Sequence, residues 1–319
     1  MSYLETKFRT IDGVELHGRV YAASKPGPGI VMCPGFNCVL AMLNLPDCAS
    51  SLQNHGITTL LYDPRNTGSS GGHLRNDIDP PQAISDISDA LTHLLSLPSV
   101  TPSQAGLFGI SFGGSVALTA SALDPRLAFT VAVAPLTDFD FASFAQRRRV
   151  LLKCAKDRES QVLGNEPFKV PVINKDGENA VGFGHGIDAE KCGRLVREAR
   201  EIAPGYVNSV TMMTYYKLAM WTPWPLWKTL GLGVAESGGR RSARGLKGVL
   251  VVVPELDTMS FPALQRQCYE DIECEEGFQK RLVEVEGAGH EDVLGEKYLE
   301  GIIERITTFI NGVVLHKED

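Results

Sequence analysis

The apolar positions of the chain fall into short runs that alternate with segments of helical spacing. The runs typical of buried strands are 29–33, 58–62, 105–109, 128–134, 249–253 and 281–286. Helical patterns lie between them, and this alternation favours parallel strands covered by helices on both faces. Residues 7–23 alternate polar and apolar positions around Asp12-Gly13, which predicts a hairpin. We therefore predict an α/β fold with a mostly parallel, eight-stranded sheet.

The alternation lapses between residues 136 and 232. Helical patterns occupy 141–156, 189–202 and 209–220 there, separated by turn-rich links. We interpret 136–232 as a helical lid inserted into a core domain formed by 1–135 and 233–319. An insertion after this strand lies over the carboxyl edge of a parallel sheet, which is where such sheets place their sites.

Charge and composition narrow the classes of partner. The 319 residues carry a formal net charge of −7, which argues against nucleic acid or an anionic membrane surface. The N-terminus lacks the apolar core of a secretory signal, and no run approaches the ~18 apolar residues of a membrane span. We expect a soluble cytoplasmic protein, for which a homodimer is compatible with the sequence.

Seven cysteines are scattered along the chain without a CxxC pair. This spacing predicts neither a metal centre nor a disulfide framework, and buried free thiols are expected instead. No motif calls for a cofactor.

Candidate chemistry centres on Ser111, within Gly109-Ile110-Ser111-Phe112-Gly113. An apolar strand pattern ends just before the serine and a small-residue helical pattern begins just after it. Strand, tight turn and helix are the context of a nucleophile elbow, in which glycines let neighbouring backbone approach closely. We predict that Ser111 is a catalytic nucleophile.

A serine hydroxyl needs a base within hydrogen-bond reach and a carboxylate to orient that base. His290 follows the last predicted strand in a loop with glycines just before it, which indicates the base. His185, in the predicted lid, is the one plausible rival.

The acid is predicted to be Asp257, in Val253-Pro254-Glu255-Leu256-Asp257, just past the penultimate strand. This position gives the chain order serine, acid, histidine that the elbow architecture uses. Glu255 is the nearer rival, and Asp138 and Asp140 are a third choice.

A negative oxygen forms when serine attacks a carbonyl, and backbone N–H groups can stabilise it. The amide of Phe112 is one donor that the elbow supplies. The amide of Phe36, after Pro34-Gly35 at a strand end, is the natural second, with simple loop packing as the alternative for that residue.

Large aromatic side chains are concentrated in the predicted lid. We predict that five of them wall an apolar acyl pocket above the serine: Tyr215, Tyr216, Trp221, Trp224 and Trp227. Pro223 and Pro225 favour an irregular turn over a helix at the tryptophans. The alternative is that these aromatics only hold the lid against the core.

These motifs together resemble the α/β-hydrolase superfamily, and the resemblance covers nearly the whole chain. More narrowly, YDPRNTGSSGG, VNSVTMMTYYKLAMW, VVVPELDT and EGAGHEDV are similar to the fungal polyketide transferase or hydrolase group found with polyketide synthases. One departure is Cys33-Pro34-Gly35-Phe36, where many relatives have His-Gly.

The resemblance implies an ester or thioester substrate, either a small molecule or an acyl chain on a polyketide synthase carrier domain, in secondary metabolism. Fold and triad do not decide between water and another acceptor. An acyltransferase, cyclase or lyase that uses the same triad therefore stays open, as does a catalytically silent binding scaffold. A dehalogenase would need aspartate at the elbow, where the chain has Ser111.

Overall fold

A computed structural model describes residues 2–176, 178–182, 189–203, 205–233 and 245–315. The predicted hairpin is confirmed: β1 (Leu4–Arg9) and β2 (Glu15–Tyr21) pair antiparallel. Gly13 at the bend has φ 86°, a backbone conformation that side chains with a Cβ rarely adopt.

The remaining strands extend this hairpin into one sheet. They are β3 (Gly27–Cys33), β4 (Thr58–Tyr62), β5 (Val100–Ile110), β6 (Phe129–Val133), β9 (Gly248–Pro254) and β10 (Gln279–Val285). The sheet has eight strands in the order β1-β2-β4-β3-β5-β6-β9-β10, and every pair from β4 to β10 is parallel. The predicted fold class is confirmed.

Helices cover both faces of the sheet. They are α1 (Leu45–Asn54), α2 (Pro80–Leu95), α3 (Phe112–Leu123), α8 (Pro262–Glu270) and α9 (Glu296–Leu315). The apolar sides of α1 and α9 share one buried cluster, whereas α2 and α3 contribute to the cluster on the opposite face. The side chain of Asp79 caps α2 by accepting from the N–H of Gln82.

The segment 136–232 contains mostly short elements. They are α4 (Phe144–Val162), β7 (Lys169–Val170), α5 (Ala189–Ile202), β8 (Val210–Thr211), α6 (Met212–Leu218) and α7 (Trp224–Lys228). The antiparallel β7–β8 ladder has no counterpart in the sequence prediction. The sequence predicts an irregular turn at the tryptophans, whereas the structure has the short helix α7 there. Pro225 is compatible with this helix because it lies in the first turn, where no backbone N–H donor is needed.

All seven cysteines are free thiols, and six of them are buried, as predicted. Among the residues described, no cluster of three or more His, Cys, Asp or Glu side chains is arranged to hold a metal ion. Within those same ranges, no helix combines the length and apolarity needed to cross a membrane.

Candidate active site

Ser111 lies at the junction of β5 and α3 in a strained backbone conformation, with φ 57° and ψ −126°. A non-glycine residue with positive φ costs free energy and persists only where the surroundings impose it. Gly113 explains part of that constraint. A Cβ added there would lie 2.2 Å from the carbonyl oxygen of Cys33 and 2.4 Å from that of Pro34. The elbow and the loop after β3 therefore pack backbone against backbone.

The structure brings the predicted serine, histidine and aspartate together. Ser111 Oγ lies 2.8 Å from His290 Nε2, and His290 Nδ1 lies 2.8 Å from Asp257 Oδ2. Because an ionised carboxylate can only accept, Nδ1 carries the proton and Nε2 is left to accept from the Ser111 hydroxyl. His290 and Asp257 are only 5% and 3% exposed. The three side chains form a continuous hydrogen-bonded chain from Ser111 to Asp257.

Asp257 is held by further hydrogen bonds on both oxygens. Its Oδ1 accepts the N–H groups of Met259 and Ser260 at 2.9 and 2.8 Å. Its Oδ2 accepts the side-chain amide of Gln265 at 2.8 Å, in addition to His290. Such bonds offset the cost of burying a polar group and hold the carboxyl group of Asp257 in one orientation.

The rival acids make other contacts. Glu255 is exposed, and its Oε2 accepts the N–H of Gly287 at 2.7 Å. Asp138 accepts the N–H of Asp140, and Asp140 lies 3.6 Å from Arg147. The structure thus places Asp257, among these carboxylates, against the histidine. The rival base, His185, lies outside the described residues.

The surroundings of His290 raise its pKa above the ordinary value. Burial disfavours the imidazolium and acts to lower the pKa. The negative charge of Asp257, its hydrogen bond to the ring and the charge of Glu291 outweigh that effect. The surroundings therefore favour the protonated form of His290, which is the form that a base reaches when it accepts a proton.

Both residues predicted to supply oxyanion donors lie beside the serine. Phe112 is the first residue of α3, where unpaired backbone N–H groups carry partial positive charge. Phe36 borders the same cavity as Ser111, and a Cβ added to Gly35 would lie 3.5 Å from the Cβ of Ser111. The rings of Phe36 and Phe112 meet edge to face, with centroids 5.8 Å apart.

A cavity of about 130 Å³ opens over Ser111 and His290. The loop after β3 contributes Met42 and Leu43 to its wall. Helix α5 contributes Cys192, Leu195 and Val196, and other parts of the chain complete the wall: Leu136, Val172, Ile173, Tyr206 and Met259. The sequence patterns did not single out this face, although 192, 195, 196 and 199 repeat at helical spacing in 189–202 and would have indicated it.

The predicted aromatic wall lies elsewhere, in the packing between the 136–232 segment and the sheet domain. Trp227 is 1% exposed, and its Nε1 donates to Thr119 Oγ1 on α3 at 2.8 Å. Tyr215 is fully buried, and its hydroxyl accepts from Asn179 Nδ2 at 3.4 Å. These two side chains are core residues with satisfied polar atoms.

The other three aromatics belong to the same buried cluster. The ring of Trp221 meets Phe139 edge to face, Trp224 packs on Trp227, and Tyr216 is half-buried beside them. In the described part of the chain, none of the five aromatics borders the Ser111 cavity. The expectation of an aromatic acyl pocket is therefore corrected: α6 and α7 pack on α4 and α3, and α5 lines the cavity.

Comparisons with known proteins identify the family of the chain. The alpha/beta hydrolase family model matches residues 30–304. A thiohydrolase of Eupenicillium brefeldianum is 38% identical over 306 residues, covering 96% of this chain and 93% of that protein. A polyketide transferase of a Penicillium species is 36% identical over 308 residues, covering 96% of this chain and 95% of that protein.

Among solved structures, that of the alpha/beta hydrolase GrgF from Penicillium sp. sh18 superposes with a TM-score of 0.81 at 32% sequence identity. It covers 99% of this chain and 100% of that one. The resemblance seen in the sequence is thereby confirmed. Since the family model spans most of the chain and the relatives match over nearly their whole length, the protein belongs to the alpha/beta hydrolase family of enzymes.

Proposed function

We propose that the protein cleaves an ester or thioester with Ser111 as nucleophile, His290 as base and Asp257 as the acid that orients the base. The observation that carries this proposal is the continuous relay from Ser111 Oγ through His290 to Asp257, with both hydrogen bonds at 2.8 Å. A nucleophile, a base and an orienting carboxylate at such distances are the parts that acyl transfer through serine needs.

In the first half-reaction, Ser111 Oγ attacks the carbonyl carbon while its proton passes to His290 Nε2. Asp257 stabilises the imidazolium that forms. The negative oxygen of the tetrahedral intermediate accepts from the amides of Phe36 and Phe112. The carbon–oxygen or carbon–sulfur bond to the leaving group then breaks, and the leaving group takes the proton from His290.

The second half-reaction releases the acyl chain from Ser111. Water, or an alcohol or thiol acceptor, gives a proton to His290 Nε2 as its oxygen or sulfur attacks the acyl carbon. When the intermediate collapses, Ser111 Oγ leaves and recovers that proton. The histidine thus acts as base and then as acid in each half.

The substrate class we favour is an apolar acyl thioester of polyketide type. The wall of the cavity is mainly apolar, which favours a hydrocarbon chain over a charged group. Relatives named as a thiohydrolase and a polyketide transferase support a thioester bond and a polyketide chain. A carrier domain of a polyketide synthase is the delivery partner that fits such a substrate, in the cytoplasm.

We further propose that 136–232 acts as a lid over a core formed by 1–135 and 233–319. The support is that α5 borders the cavity above Ser111 and His290 and can exclude water from the reaction.

Rapid mixing with acyl thioesters of increasing chain length tests the proposal. The wild type should release one equivalent of thiol per protein in a burst, and Ser111→Ala should show neither burst nor turnover. Turnover by the alanine variant, or a wild type that binds acyl thioesters without cleaving them, would contradict it. The second outcome would indicate a binding scaffold.

Transfer to an acceptor other than water is the second candidate, because one relative is named as a polyketide transferase. Adding alcohols and thiols to the same assay decides between the two. Preferential formation of the new ester or thioester over free acid indicates a transferase. Free acid alone indicates a hydrolase, and an intramolecular ester or an eliminated product indicates a cyclase or lyase.

A further inference from the structure

One buried amide contacts the candidate acid directly. Gln265, on α8, is 0% exposed, and its Nε2 lies 2.8 Å from Asp257 Oδ2. The same oxygen accepts from His290 Nδ1 at 2.8 Å. We propose that Gln265 is a positioning residue of the site, one that fixes the Asp257 carboxylate and shares its charge with the histidine. This inference rests on the proposed function.

The orientation of the amide supports a role as donor. Nε2 faces two acceptors, Asp257 Oδ2 and the carbonyl oxygen of Ser260, the second at 2.6 Å. Oε1 of Gln265 is buried without a hydrogen-bond partner among the residues described. A buried carbonyl oxygen without a hydrogen-bond partner is unfavourable. The side chain therefore donates two hydrogen bonds from Nε2 while its own acceptor, Oε1, makes none. An apolar side chain would fill the same space without that cost.

Ser260 connects this amide to the rest of the sheet edge. Its N–H donates to Asp257 Oδ1 at 2.8 Å, and its Oγ–H donates to the carbonyl of Pro135 at 2.7 Å. The N–H of Thr137 donates to the same Oγ at 3.2 Å. Gln265 and Ser260 therefore anchor the acid loop to 135–137, directly after β6. The position of the carboxylate depends on this network as well as on its own loop.

The amide of Gln265 also affects how strongly the Asp257 carboxylate attracts the imidazolium of His290. Other polar groups also face His290 or its loop, and a change at Gln265 leaves them in place. Ser111 and Glu291 border the cavity beside the histidine. Asp292 accepts the N–H of Gly289, and Lys191 Nζ would lie 3.0 Å from a Cβ added to Gly289. Without the amide, Oδ2 would accept only from His290. Its charge would then attract the imidazolium more strongly, and the histidine would need a higher pH to lose its proton.

Gln265→Met is the variant that tests this proposal, because methionine is similar in length and shape but cannot donate. We would measure kcat and KM against pH with a short activated ester, p-nitrophenyl butyrate, together with the melting temperature. We expect kcat to fall about tenfold with KM unchanged. We also expect the acidic limb of the kcat/KM profile to move about half a pH unit upward. Gln267→Met, at an exposed position on the same helix, is the matched control and should match the wild type.

A second variant keeps the test decisive if methionine prevents folding. Gln265→Glu can donate only while its carboxyl group is protonated, so its activity should decline relative to the wild type as the pH rises. A wild-type pH profile in both variants, or a loss of rate without any shift of the profile, would overturn the positioning role. Ser111→Ala separates this result from the proposed function. If that variant is active, the nucleophile assignment fails whatever Gln265 does.

Discussion

The floor and the roof of the Ser111 cavity are built from different interactions. The floor is a chain of hydrogen bonds among buried polar groups, in which Asp257 uses both oxygens. The roof is α5, which offers the apolar side chains of Leu195 and Val196. Polar networks fix geometry closely, whereas apolar contact is non-directional. We therefore expect substitutions in the floor and in the roof to have different effects, the first on the rate of the reaction and the second on the selectivity for acyl-chain length.

A substitution in the floor should slow the reaction on every substrate, whatever the length of its acyl chain. Asp257→Asn keeps the shape of the acid but removes the charge that stabilises the imidazolium. We expect kcat to fall about 10⁴-fold for short and long acyl chains alike. Steady-state kinetics with both substrates measures the loss. Glu255→Gln and Asp138→Asn are the controls, and equal mild losses in all three variants would remove Asp257 from the proposed relay.

A substitution in the roof should change kcat/KM for long acyl chains and have little effect on short ones. Val196→Trp fills part of the cavity, so we expect kcat/KM to fall about 100-fold for long acyl thioesters and by less than about threefold for an acetyl ester. Leu152→Trp, at an exposed position on α4, is the control. A comparable loss on both substrates would show that α5 supports the floor and does not contact the chain.

The aromatic cluster should affect stability and leave selectivity unchanged. Trp227→Phe loses the bond from Nε1 to Thr119 and leaves a void, which should lower the free energy of unfolding by about 2 kcal/mol. Urea denaturation measures the change, with Phe144→Leu, 80% exposed in the wild type, as the control. If Trp227→Phe instead changed the preference for acyl chains, the original pocket interpretation would regain support.

The smallest expected effect concerns the charge beside the histidine. Since Asp257 and Glu291 raise the pKa of His290, kcat/KM should fall as the pH drops through a midpoint above about 6.5. Glu291→Gln removes one of these charges and should move the midpoint down by a few tenths of a pH unit. A pH–rate profile of both proteins checks this, and an upward shift would contradict the assigned electrostatics.

The same contrast explains what the sequence could predict. The elbow at Ser111 and the loops of Asp257 and His290 follow strands directly, so local pattern and chain order were enough to place them. The face of α5 also had a local signal in its apolar spacing. The contact between Gln265 and Asp257 had none, because it depends on how α8 packs against the loop after β9. The aromatics of α6 and α7 were predicted to line the cavity because the insertion follows a strand at the carboxyl edge of the sheet. That placement does not say which side of the segment meets the core.

The most direct test of the central claim is the intact mass of the protein after treatment with a fluorophosphonate probe. The account predicts one covalent adduct on the wild type, mapped to Ser111 by peptide sequencing, and no adduct on Ser111→Ala under the same conditions. Labelling of the alanine variant at the wild-type rate, or an adduct on another residue of the wild type, would contradict it.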